Sequence, residues 1–99
     1  MSIQKVGFNV AEYALKNKMG IGSFRLKDGS SVKILQDQDK NLIQFFQLKN
    51  GELIGAKGYQ GPSSNFQAAN YLCDLEKNAE NAEELEKAWA NSCEFDVMA

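Results

Sequence analysis

The sequence predicts an α+β fold: a four-stranded antiparallel β-meander with one helix before it and two after, one of which packs across the sheet. Three observations carry this. Between positions 23 and 57 apolar and polar residues alternate with a period of two, the pattern of half-buried strands. Asp28-Gly29 and Asn50-Gly51 interrupt that pattern with the pairs that tight hairpins favour. Outside the stretch, apolar residues recur every three or four positions, as on a helix face. A chain of 99 residues has room for one core, so the prediction is a single domain over 1–99.

The first helix is expected over 10–18. Asn9 can accept an N–H of the opening turn, and Glu12 stands where a capping box requires it. Val10, Tyr13 and Ala14 share one face. Lys16 and Lys18 suit the negative end of the helix dipole, and Gly20 reads as the residue that stops the helix.

In the meander, Phe24 and Leu26 point one way, Asp28-Gly29 reads as a type I′ turn, and Val32 and Ile34 resume the alternation. Positions 37–41 form a polar connection. Leu42, Phe46 and Leu48 lie on one side of the third strand, with Ile43 and Phe45 on the other. Asn50-Gly51 turns the chain into a strand over 52–57, and 58–62 breaks it. The only proline precedes Ser63-Ser64, either of which can cap a helix over 64–79. Its stripe of Ala68, Ala69, Leu72, Leu75 and Ala79 is expected to cover the face that holds Phe46 and Leu48. Asn81 and Glu84 form a second capping-box pattern at the head of a helix over 82–92, where Leu85, Ala88, Trp89 and Ser92 align.

The hydrophobic share of 43% and charged share of 24% are those of a globular chain rather than a disordered one. No apolar run reaches the length of a bilayer span, and the first nine residues do not read as a secretory signal. The expected location is cytoplasmic, with Cys73 and Cys93 as free thiols. A net charge of −2 and a pI near 5.1 argue against a general nucleic-acid binder. Acidic side chains crowd the last third, while lysines are commoner before it. That division reads as two solvated faces or as an acidic surface that meets a basic partner.

Catalytic chemistry finds little support. The sequence contains no histidine, the commonest general base and metal ligand. Two cysteines twenty positions apart do not make a zinc site, and neither glycine cluster has the spacing of a phosphate loop. Cys73 has only Lys77 nearby to lower its pKa, opposed by Glu76. Glu83 and Glu86 belong to a solvated helix face. No enzyme activity and no cofactor or metal is expected.

Positions 32–80 resemble the YegP-like domain of small bacterial proteins. The resemblance rests on three pieces in order: Val32-Lys33-Ile34-Leu35 with the polar turn after it; Phe46-Gln47-Leu48-Lys49-Asn50-Gly51-Glu52-Leu53-Ile54; and Gly58-Tyr59, a Ser-rich break and a helix ending Glu76-Lys77-Asn78-Ala79. It implies a three-strand-plus-helix unit and no reaction. The second copy usual in that family is not evident, and the helix after Glu80 is additional. A lone copy needs cover for its open surfaces, either from its own N-terminal elements or from a second chain in a symmetric dimer.

Three functions are therefore carried forward. The first is a non-enzymatic protein-interaction module that self-associates as a homodimer. The second is a small acidic inhibitor, of the kind phages direct against a host nucleic-acid-binding complex, with glutamates imitating phosphates. The third is a single-stranded nucleic-acid binder that stacks bases on an open sheet face. The candidate partner-binding residues are Ile43 and Phe45 on that face, with Glu83, Glu84 and Trp89 on the last helix. The favoured reading of Ile43 and Phe45 is that the N-terminal helix, the last helix with Trp89 or a second subunit covers them.

Overall fold

A computed structural model describes residues 9–94. Its elements are α1 (Val10–Lys16), β1 (Gly20–Arg25), β2 (Ser31–Asp37), β3 (Leu42–Lys49), β4 (Glu52–Gln60), α2 (Ser64–Glu76) and α3 (Ala82–Ser92), with a short 3-10 turn at Gln38–Lys40. The four strands form one antiparallel sheet in the order β1-β2-β3-β4, the meander that the turn chemistry predicts.

Local chemistry sets the boundaries. Asn9 Oδ1 accepts the Glu12 N–H at 3.1 Å and opens α1. The stop is not Gly20. Lys18 takes the left-handed conformation at φ 57°, and the Lys18 and Met19 N–H groups donate back to the Leu15 and Ala14 carbonyls. Gly20 is thereby released to begin β1. The Asp28-Gly29 turn also differs from expectation, because only Gly29 has positive φ. The Leu26 N–H donates to the Ser30 carbonyl at 2.8 Å and the Gly29 N–H to the Leu26 carbonyl at 3.1 Å, closing a three-residue loop. Asp28 favours this loop by accepting both the hydroxyl and the N–H of Ser30, which also holds its carboxyl below the ordinary value. Asn50 and Gly51 both have positive φ, as a type I′ turn requires.

Strand β4 runs to Gln60, past the break expected at 58, because Gly58 and Tyr59 still pair with Gln44 and Ile43. The turn falls at Gly61, at φ 107°. Helix α2 ends at Glu76 rather than 79, and Ala79 forms an isolated bridge with Leu26.

The largest correction concerns the faces of the sheet. Helices α2 and α3 cover the side that carries Phe24, Val32, Ile34, Ile43 and Phe45, burying them with Ala68, Leu72, Leu85 and Ala88. The Phe46 side belongs to α1, through Val10, Ala14 and Met19 packed with Leu35. Alternation along β3 places Phe45 and Phe46 on opposite sides but does not say which helix each side receives. The longer pair of helices offers more apolar surface and takes the more apolar face. Close approach of α3 is possible because β1 presents glycines beneath it. A Cβ on Gly22 would overlap the Ala88 carbonyl, and one on Gly20 the Ser92 carbonyl.

Candidate interaction edge and adjoining cleft

The two outer strands of the sheet are treated differently. Beside β1 the segment linking α2 to α3 completes the backbone pairing. The Lys27 N–H donates to the Asn78 carbonyl at 2.8 Å, the Glu80 N–H donates to the Arg25 carbonyl at 2.9 Å, and Leu26 bridges Ala79. Arg25 also reaches Glu80 and Glu84, each at 3.3 Å. That edge is closed at Arg25, the last residue of β1, and over the two residues after it.

Strand β4, at the other side, pairs only with β3 among the described residues. Seven of its nine residues are exposed, so it is thinly covered on its faces as well. Tyr59 and Lys57 lean on α2, the Lys57 ammonium standing 5.2 Å from the Tyr71 ring centre. A bulge opposite Gln47 and Leu48 bends the strand at Ile54. Leu53 and Ile54 are left 43% and 52% exposed, although most large apolar side chains of the fold are buried.

Against this geometry the sequence-derived site residues separate. Ile43 and Phe45 are each 2% exposed and belong to the core beneath α2 and α3. Phe45 meets Tyr71 edge-on, with ring centres 4.9 Å apart. The side they occupy is covered by the last helix, one of the covers expected, and by α2, which was expected on the opposite side. Glu84 is half-buried and committed to Arg25, whose backbone N–H and guanidinium hold the Glu84 carboxyl below its ordinary value. Glu83 is exposed, and its N–H is capped by Asn81 at 2.8 Å. Trp89 is half-buried against the core.

Trp89 and Ile43 meet at a cleft of about 300 Å³ at the end of the sheet where β2 turns into β3. Gln36 and Asp37 enter it from β2, Ser64 and Asn65 from the start of α2, and Cys93 from the end of α3. Gln36 is anchored by donating to Ser92 Oγ at 2.8 Å and to Cys93 Sγ at 3.3 Å. Sequence reasoning missed this place. The signal was Gln36 itself, a polar residue in the inward series Val32, Ile34, Gln36. Neither Leu53 nor Ile54 was singled out either, since their exposure follows from the bulge.

Cys73 and Cys93 are free thiols. Among the described residues, no three Cys, Asp or Glu side chains gather as a metal site would require. No helix among them is long and apolar enough to cross a membrane. Comparison with protein-family models, curated proteins and solved structures finds no match.

Proposed function

We propose that this chain is a non-enzymatic protein-interaction module that self-associates through β4. The observation that carries the reading is the asymmetry of the sheet. The β1 edge is closed at its end, where 78–80 pair with Arg25–Lys27, whereas the outer N–H and C=O groups of β4 have no partner strand among the described residues. Exposed strand edges recruit other strands, and Leu53 and Ile54 add apolar surface beside this one. A second copy meeting β4 antiparallel would extend the sheet across a twofold axis. Strands β2–β4 with α2 also form a three-strand-plus-helix unit of the kind the YegP-like resemblance implies, and membership of that family is part of the proposal. So is a cytoplasmic location, which rests on the free thiols.

The other readings receive less support. Base stacking on Ile43 and Phe45 loses its platform, because α2 and α3 lie over that face. A phosphate-mimicking array keeps Glu83 and Glu86 but spends Glu84 on Arg25.

Light scattering across a concentration series tests the proposal. A dimeric mass in the tens of micromolar is expected, with Ile54→Lys shifting the chain to monomer while its circular dichroism stays unchanged. A monomeric mass for the unaltered chain throughout that range would refute it.

A further inference from the structure

The cleft between the β2–β3 turn and the first turn of α2 carries a second, independent reading. We propose that it binds a small zwitterion of amino-acid size, its ammonium group held by Asp37 and Gln36 and its carboxylate by Ser64 and the start of α2.

The cationic half follows from acceptors that the fold leaves open. Gln36 is 4% exposed, and its amide nitrogen is doubly engaged with Ser92 and Cys93. Its carbonyl oxygen accepts no hydrogen bond from any described residue, a costly condition for a buried group unless a ligand supplies the donor. Beside it the Asp37 side chain is 11% exposed. Among the described residues its polar contacts come from Lys40 alone: the N–H at 3.3 Å and the ammonium at 3.9 Å, both long. Carboxylate lone pairs are therefore left for another donor. Trp89 lines the same cleft, and an aromatic ring attracts cations. An anion, a carbonyl and an aromatic ring together select an ammonium group.

The anionic half follows from the residues that α2 contributes. Ser64 is 3% exposed, lines the cleft, and its hydroxyl makes no hydrogen bond with any described residue. It is the first residue of a thirteen-residue helix whose N-cap, Ser63, makes no side-chain capping bond and whose first turn has no acidic side chain. The positive end of that helix is uncompensated and favours a carboxylate. A volume of about 300 Å³ holds roughly ten water-sized groups, the scale of a free amino acid.

The chain has a single tryptophan, so fluorescence of Trp89 reports occupancy directly. The full-length protein is titrated with each standard amino acid, and with n-pentylamine and hexanoate as probes that keep only an ammonium or only a carboxylate. At least one amino acid is expected to give a saturable change with a Kd below about 1 mM. Asp37→Asn, which can still cap the 3-10 turn, should weaken that binding by about tenfold, and Ser64→Ala by severalfold. Neither variant should alter the far-ultraviolet spectrum. Three results would overturn the proposal: no saturable change with any amino acid at about 10 mM, binding that Asp37→Asn leaves intact, or a one-ended probe that binds as well as the amino acid. Leu53 and Ile54 lie near the opposite end of β3 from this cleft, so the dimer and the ligand site stand or fall separately.

Discussion

Arg25 and Glu84, fifty-nine positions apart, are joined twice: the Glu84 carboxylate accepts the Arg25 backbone N–H at 3.2 Å and its guanidinium Nε at 3.3 Å. The contact ties the start of α3 to the closed edge of the sheet. Glu84 in the folded chain therefore titrates below its ordinary value of 4.5, and Arg25 titrates above its own. A carboxyl depressed by folding stabilises the fold in full above its unfolded pKa. That contribution fades as pH falls through the lower, folded value. Glu84→Gln should lower the thermal midpoint slightly at pH 7, because Arg25 is largely exposed and solvent screens the pair. The difference from the unaltered chain should disappear in strong acid. Melting curves at the two pH values, run at constant ionic strength, measure it.

Gly22 lies beneath the Ala88 carbonyl with no room for a methyl group. Gly22→Ala should cost about 1–3 kcal/mol, as overpacking does in a dense core. Gly55→Ala is the control. There the nearest atom outside the neighbouring residues is Gln47 Oε1 at 3.6 Å, an ordinary contact. Urea unfolding should separate the two glycines, with Gly55→Ala close to neutral.

Phe45 is a core residue, so its truncation should read as a stability defect. Phe45→Ala removes the ring that α2 packs against and should cost about 3–5 kcal/mol. In a domain of this size that approaches the whole stability. Loss of a cooperative melt is the expected result. Retention of the native midpoint would mean that the residue faces water.

Lys18 offers a change in the opposite direction. It occupies the left-handed position that ends α1, where a side chain is strained and glycine is not. Lys18→Gly should stabilise the chain by about 1 kcal/mol. A raised midpoint in denaturant is the measurement, and a lowered one would mean that the lysine side chain makes a compensating contact.

These residues also show what could be read in the sequence. The meander order, Asn50-Gly51 and the caps at Asn9 and Asn81 were legible because each depends on chemistry within a few positions, whereas the serine expected to cap α2 makes no side-chain capping bond. Gly20 was misread because its role depends on α3 overhead. Asp28-Gly29 was misread although its determinant is local: the Asp28 carboxylate accepts from Ser30, two positions on, and selects a three-residue loop over the two-residue turn. The choice of sheet face was illegible because a strand carrying Phe45 and Phe46 in succession offers two apolar sides, and only the three-dimensional path of α2 decides between them. The cleft was partly legible. Gln36 breaks an inward apolar series, but Ser64 and Trp89 join it only when the chain folds back.

The bridge from Leu26 to Ala79 has a bearing on how the chain is made. A ribosome releases β1 more than fifty residues before the segment that seals its edge. Throughout that interval the nascent meander has two unsealed sides instead of one. Such long-range closure is slow relative to local hairpins. Completion of the last quarter of the chain is therefore the step that converts a sticky intermediate into a domain able to discriminate between its edges.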